Sequence, residues 1–187
     1  SWPKVSLRTI SFGQGISVTP LQMIVALSSI ANGGLLMKPR ILKRVVDEEG
    51  HILFEEGPTV VRRVISPETA RKTVSVLKAV VEDGGTGEKA RVPEYDVAGK
   101  TGTAQKPDMV NGGYSREKHI ASFMGFLSAD EPRIVLFVML DEPTVSPYGG
   151  VVSAPIFRKI AEKLVIILDI PPTRNTAEAC PTTSRRG

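Results

Sequence analysis

Two apolar runs, Ile120 to Leu127 and Arg133 to Leu140, flank the turn signal Asp130-Glu131-Pro132, and this pairing constrains the fold more than any other feature. Runs of this length, punctuated by acids and a proline, read as neighbouring antiparallel strands. A further strand-like stretch, Tyr95 to Ala104, has glycines at its centre and comes before them. Together they predict an antiparallel meander of about three strands.

Three helices are predicted around this meander. Thr19-Pro20-Leu21-Gln22 supplies an N-cap, a proline at the first helical position and a glutamine that closes a capping box. Gly33-Gly34 ends that helix, and Ile24, Leu27, Ser28 and Ala31 lie at helical spacing among enough apolar neighbours to predict almost complete burial. Ser66-Pro67-Glu68 opens a second helix with Ala70, Val74, Leu77 and Val81 on one face, stopped by Gly84-Gly85. Ser153-Ala154-Pro155 is expected to open the third, whose Ile156, Ile160, Leu164 and Ile167 form a stripe directed at the core. Between the first two helices, Arg40 to Val46 and His51 to Glu55 predict a surface hairpin around Glu48-Glu49-Gly50.

The sum is an α+β domain, an antiparallel sheet packed with helices. Its size supports that reading, since 187 residues with 41% hydrophobic content can enclose one core. A sheet of three strands has two open edges: one is expected to serve as a substrate platform, the other to be the cut surface of a larger sheet. Residues 1–172 are assigned to the domain and the Thr-, Ser-, Arg- and Pro-rich residues 173–187 to an unstructured tail.

Several function classes are excluded. The net charge of +4 arises from 24 basic and 20 acidic residues scattered along the chain, and without a basic stripe or many aromatics this argues against nucleic acid. Cys180 is the lone cysteine, so no internal disulfide forms. Ser1-Trp2-Pro3-Lys4 does not resemble a signal peptide, and apolar runs such as Leu164 to Leu168 are far short of a membrane span. His51 and His119 lack a partner pattern for metal or triad chemistry and are expected at the surface, so neither metal nor cofactor is implied. Asp141 and Glu142 read as acids of a solvated loop.

Chemistry concentrates at Lys100-Thr101-Gly102-Thr103-Ala104-Gln105. Gly99-Lys100-Thr101 is not a phosphate loop, because that motif needs a glycine where Glu94 stands and a helix where this segment continues as a strand. The glycine run from Gly84 to Gly87 reads as a helix stop and turn. Lys100 supplies a fixed positive charge, while the hydroxyls of Thr101 and Thr103 suit hydrogen bonds to a carboxylate. Gly102, lacking a side chain, lets a peptide lie along the strand edge.

Ser11-Phe12-Gly13-Gln14-Gly15, Thr19-Pro20-Leu21-Gln22, Ala31-Asn32-Gly33-Gly34, Gly84-Gly85-Thr86-Gly87, Ala98 through Gln105, Ser122-Phe123-Met124-Gly125-Phe126 and Tyr148-Gly149-Gly150 occur in that order. This series closely resembles the class B penicillin-binding proteins of the division or sporulation type, and it runs from about Ser1 to about Pro172. The resemblance implies part of the β-lactamase-like transpeptidase fold. It also implies a peptidoglycan D,D-transpeptidase acting on stem peptides that end in D-Ala-D-Ala and acylated by penicillin and other β-lactams. In that family a Ser-x-x-Lys serine is the nucleophile, Ser-x-Asn follows and Lys-Thr-Gly comes last. Lys100 then polarises the hydroxyl network, Thr101 and Thr103 hold the substrate carboxylate, and the Thr103 N–H is one oxyanion donor. Membrane attachment through an N-terminal anchor outside this chain, an extracytoplasmic location and partners in the division or elongation machinery are implied in the same way.

The first two motifs are missing. Ser75-Val76-Leu77-Lys78 and Ser115-Arg116-Glu117-Lys118 fit Ser-x-x-Lys, but both follow the Ser11-to-Gly15 segment that the true nucleophile should precede, and no Ser-x-Asn occurs. The chain thus reads as the C-terminal half of a transpeptidase domain, inactive alone. The alternative is a non-catalytic sensor of β-lactams or muropeptides.

Overall fold

The computed structural model describes residue 10 and residues 15–174. Helix α1 (Pro20–Ala31) begins as its sequence demands: Thr19 Oγ1 accepts the Gln22 N–H at 3.2 Å, and Gln22 Oε1 accepts the Thr19 N–H at 2.8 Å. It ends where Gly34 takes a φ of +101° and donates its N–H to Ser29 O at 2.7 Å. A Cβ at Gly34 would lie 2.1 Å from Ile65 O, so only glycine fits. Helix α2 (Pro67–Ala79) is capped by Ser66, whose Oγ accepts the Thr69 N–H at 3.1 Å. It stops short of the predicted Gly84-Gly85, because the chain folds back under its end and Gly87 N–H bonds Val80 O at 2.9 Å.

Four short strands connect α1 to α2. β2 (Arg44–Val46) and β3 (Ile52–Glu55) form the predicted hairpin. They sit beyond a second antiparallel pair, β1 (Leu35–Met37) with β4 (Val60–Arg63), which the sequence does not reveal because such short strands carry no readable alternation. Every residue of β2, β3 and β4 is exposed.

The meander is present as β5 (Val97–Pro107), β6 (Tyr114–Leu127) and β7 (Ile134–Asp141), antiparallel and adjacent in chain order. β6 begins earlier than its apolar run, since the polar stretch from Tyr114 to His119 pairs with the end of β5, where Gln105 faces His119 and Pro107 faces Tyr114. Successive residues then divide between two cores. Val97, Phe123, Leu127 and Val138 face one side, where α3 (Gly149–Ile167) covers them; Ala98 and Phe126 face the other and meet Leu27 of α1.

Two predictions about the helices need correction. α3 begins at Gly149 and encloses Pro155, and it turns Ser153, Ala154, Phe157, Ala161 and Val165 to the sheet rather than the isoleucine stripe. Ile156 and Ile160 are 36% exposed and Ile167 72%. Small side chains let the helix approach closely enough for Phe157 to meet Phe123 edge-on at 4.7 Å, which the β-branched stripe would prevent. α1 is also less buried than predicted: Leu27 and Ser29 are enclosed, but Leu21 is 56% exposed, because only one side of the helix has the sheet and α2 to pack on.

The end of the described chain is fastened to the start of β5. Tyr95 OH donates to Ile170 O at 2.8 Å, Thr173 Oγ1 accepts the Asp96 N–H at 2.7 Å, and Arg174 bonds Asp96 and Glu82. The tail predicted from residue 173 lies, beyond Arg174, outside the described residues, as do Ser11 to Gln14. Among the described residues no helix is long and apolar enough to cross a membrane.

Candidate active site

Among the described residues β5 is an edge strand, paired with β6 alone, and Lys100, Thr101, Gly102 and Thr103 occupy its middle. Lys100 stands opposite Met124 on the α1 side of the sheet, and its ammonium reaches Thr101 O at 2.9 Å and Thr101 Oγ1 at 3.1 Å. Thr101 stands opposite Phe123 and Thr103 opposite Ala121, both on the α3 side. Their hydroxyls and the Lys100 ammonium are thereby gathered at one stretch of edge.

The start of α3 forms the next wall. Gly149 N–H donates to Thr103 Oγ1 at 3.4 Å, bringing the positive end of a 19-residue helix beside that hydroxyl. Such closeness requires glycine, since a Cβ on Gly149 would lie 2.6 Å from Gly102 O and one on Gly150 would lie 2.2 Å from Thr86 O. Gly102 has a packing reason of its own: its Cβ would lie 2.4 Å from Ser122 Oγ.

A cavity of about 380 Å³ opens over these groups, lined among others by Thr86, Thr101, Thr103, Tyr148, Gly149 and Gly150. Thr86 and Tyr148 are the residues that sequence reasoning missed as site members. The Gly84-to-Gly87 run is a turn, as predicted, but it also carries Thr86 Oγ1 to 3.2 Å from Thr101 Oγ1. A hydrogen-bonding side chain set among glycines was the available signal.

At the far end of β5, Asp141 and Glu142 are exposed but not idle. Lys106 Nζ reaches Glu142 Oε1 at 2.7 Å and Asp141 Oδ1 at 3.0 Å. The hydrogen bond with Glu142, and then that with Asp141, hold the Lys106 ammonium above its ordinary pKa. The two acids therefore fasten β5 to the end of β7 across β6, where the sequence predicts a solvated loop.

The serines that mimic a nucleophile have other employment. Ser75 Oγ donates to Arg71 O at 3.2 Å within α2, and Lys78 pairs with Asp130 at 2.9 Å. Ser115 Oγ accepts the N–H groups of Glu117 and Lys118 at 3.2 and 3.0 Å. A third match, Ser1 to Lys4, lies outside the described residues and has no Ser-x-Asn after it.

His51 is exposed as predicted, whereas His119 is half-buried. His51 does have partners: its Nδ1 lies 3.0 Å from Asp47 Oδ2, and its ligand atom falls within 4.8 Å of those of Asp47 and Glu49. Glu49 and His51 are exposed and Asp47 is half-buried, His51 and Asp47 are already bonded to each other, and the three form no closed metal shell.

The arrangement offers one ammonium, two hydroxyls and a helix N-terminus to an anionic group at a strand edge, and comparisons with known proteins agree with it. Residues 1–162 match the penicillin binding protein transpeptidase domain. Stage V sporulation protein D of Bacillus subtilis is 40% identical over 176 residues, which are 93% of this chain and 27% of that protein. The probable peptidoglycan D,D-transpeptidase PenA of Neisseria meningitidis is 39% identical over 98% of this chain and 30% of its own length. The crystal structure of penicillin binding protein 3 from Mycobacterium tuberculosis, complexed with ampicillin, superposes with a TM-score of 0.83 at 36% identity, covering 94% of this chain and 40% of that one. The transpeptidase domain of penicillin-binding protein 3 from Burkholderia pseudomallei gives 0.78 at 39% identity, covering 93% and 50%. The chain thus spans less than a third of the length of these curated relatives, and it belongs to the penicillin-binding protein transpeptidase family, as part of a class B transpeptidase domain.

Proposed function

We propose that this chain is the C-terminal part of a peptidoglycan D,D-transpeptidase and supplies the wall of the active site that receives the terminal carboxylate of a D-Ala-D-Ala stem peptide. The observation that carries the proposal is the gathering of Lys100 Nζ, Thr101 Oγ1 and Thr103 Oγ1 along the free edge of β5, beside the N-terminus of α3. A carboxylate accepts hydrogen bonds from all three groups, and the Lys100 charge strengthens them.

The reaction needs a serine that this chain lacks. That serine forms an ester bond to the penultimate D-alanine carbonyl while the peptide C–N bond breaks, and the departing D-alanine amine takes up the proton. An amine of a second stem peptide then displaces the serine. Thr101 O accepts from Lys100 at the free edge, so the alternation of an antiparallel strand directs the Thr103 N–H to the same edge, where an oxyanion would sit. Lys100 is positioned to move protons through the hydroxyl network and to hold the anion. A β-lactam, carrying a carboxylate beside a strained amide, enters the same site.

The substrate lies outside the cytoplasmic membrane, and the proposal places the chain there, with proteins of the division or elongation machinery as partners. The transpeptidase domain is taken to run to about residue 174, two residues past the boundary expected at 172, because Thr173 and Arg174 bond Asp96 and Glu82.

The test uses fluorescent penicillin. The isolated chain should take no label, whereas the intact protein should be labelled, and Lys100→Met should cut that acylation rate at least about 100-fold, the scale of losing one preorganised charge-stabilising group. Label on the isolated chain at Ser1, Ser75 or Ser115, or a Lys100→Met protein that acylates normally, would overturn the proposal.

A further inference from the structure

We infer that Thr86 is a positioning residue that turns the Thr101 hydroxyl into a donor for the incoming carboxylate. The inference rests on the site proposed above and adds a residue to it, one outside the Lys100-to-Thr103 strand.

A threonine hydroxyl has one proton to give and two lone pairs to receive. One lone pair of Thr101 Oγ1 is taken by the Lys100 ammonium at 3.1 Å. The contact with Thr86 Oγ1 at 3.2 Å can run in either direction. If Thr101 donates to Thr86, its proton is spent and Thr101 turns only a lone pair toward a carboxylate. If Thr86 donates to Thr101, both lone pairs of Thr101 are filled and its proton is left for the carboxylate. A carboxylate only accepts, so its arrival selects the second direction.

The surrounding structure holds Thr86 for this task. Its carbonyl is pressed against Gly150, where a Cβ would lie only 2.2 Å away, and Gly87 N–H anchors the loop to Val80 O at 2.9 Å. Thr86 also lines the cavity together with Thr101 and Thr103. Thr103 shows the same logic in fixed form: Gly149 N–H can only donate, so it occupies a lone pair of Thr103 Oγ1 and leaves that hydroxyl's proton free. Both threonines thus receive from neighbours and give outward, one through a backbone amide and the other through Thr86.

The experiment compares acylation of the intact protein by benzylpenicillin and by its methyl ester, which has no anionic carboxylate. Thr86→Val should slow benzylpenicillin about tenfold and leave the ester within about twofold, and Thr86→Ala should behave alike, on the scale of one hydrogen bond to a charged group. Thr86→Ser, which keeps the hydroxyl, should restore the carboxylate preference. Thr101→Val serves as the reference and should lose the preference as well. Equal slowing of both compounds by Thr86→Val marks a merely structural role and overturns the inference. A preference lost in Thr101→Val but kept in Thr86→Val also overturns it, while the proposed site stands. A preference kept in Thr101→Val defeats the proposed site, and the inference with it.

Discussion

Gly149 lies against Ser122 so closely that a Cβ on the glycine would sit 2.0 Å from the serine carbonyl oxygen. The obstacle is backbone on a central strand and cannot swing aside. Gly149→Ala should therefore lift the start of α3 from the sheet and destabilise the intact protein by about 1–3 kcal/mol, the usual cost of overpacking. Chemical denaturation reads the shift in midpoint. An unchanged midpoint would show that α3 starts farther from β6 than described.

Phe157 and Phe123 form the centre of the larger core, both fully buried, with ring planes at 67°. Removing one ring leaves a cavity that the neighbouring Ala154 and Ala161 are too small to fill. Phe157→Ala should cost about 3–5 kcal/mol in unfolding free energy, whereas Ile156→Ala on the outer side of the same helix should cost far less. Equal losses from the two variants would restore the isoleucine stripe as the core face.

Ser75 and Ser115 should be dispensable. Each hydroxyl is committed to a local backbone bond, and the lysine three residues on is paired with an acid in both cases, Lys78 with Asp130 and Lys118 with Glu142. Ser75→Ala and Ser115→Ala in the intact protein should keep the full rate of penicillin labelling, with stability changed by no more than about 0.5 kcal/mol. Loss of label in either variant would move the nucleophile into this chain.

Asp108 should make the β5–β6 connection sensitive to acid. Its carboxylate accepts the N–H groups of Asn111 and Val110, each at 3.0 Å, and the Asn111 bond is the main cause holding its pKa below the ordinary 3.8. A folded-state value below the unfolded one stabilises at higher pH, and this contribution fades as pH falls through the folded value. Amide exchange at Val110 and Asn111 should lose protection below about pH 4 and stay constant between about pH 5 and 8. Constant protection throughout would mean that the turn does not depend on the carboxylate.

Much of this architecture was legible in local chemistry. Thr19 with Gln22 and Ser66 with Pro67 and Glu68 mark helix starts because capping is settled within one turn, and Asp130-Glu131-Pro132 marks the bend between β6 and β7 for the same reason. What stayed hidden depends on tertiary approach. The isoleucines of α3 suggest the wrong face because hydrophobicity alone does not register that Ala154 and Ala161 let a helix come close. Thr86 and Thr101 are 15 residues apart, and no periodicity links a turn to the strand it comes to rest against. The Lys100-to-Thr103 strand and its open edge were visible as chemistry, but not the approach of Thr86 to Thr101 and of Gly149 to Thr103.

Arg174 joins Asp96 and Glu82, residues 78 and 92 positions earlier. Closing so long a loop costs entropy before any contact repays it, so the clasp is expected to form after the sheet has assembled. Interactions made late on the folding route leave the folding rate nearly untouched and act on the reverse step. The arginine thus gives the domain persistence rather than speed: once closed, it lengthens the time before β5 comes loose.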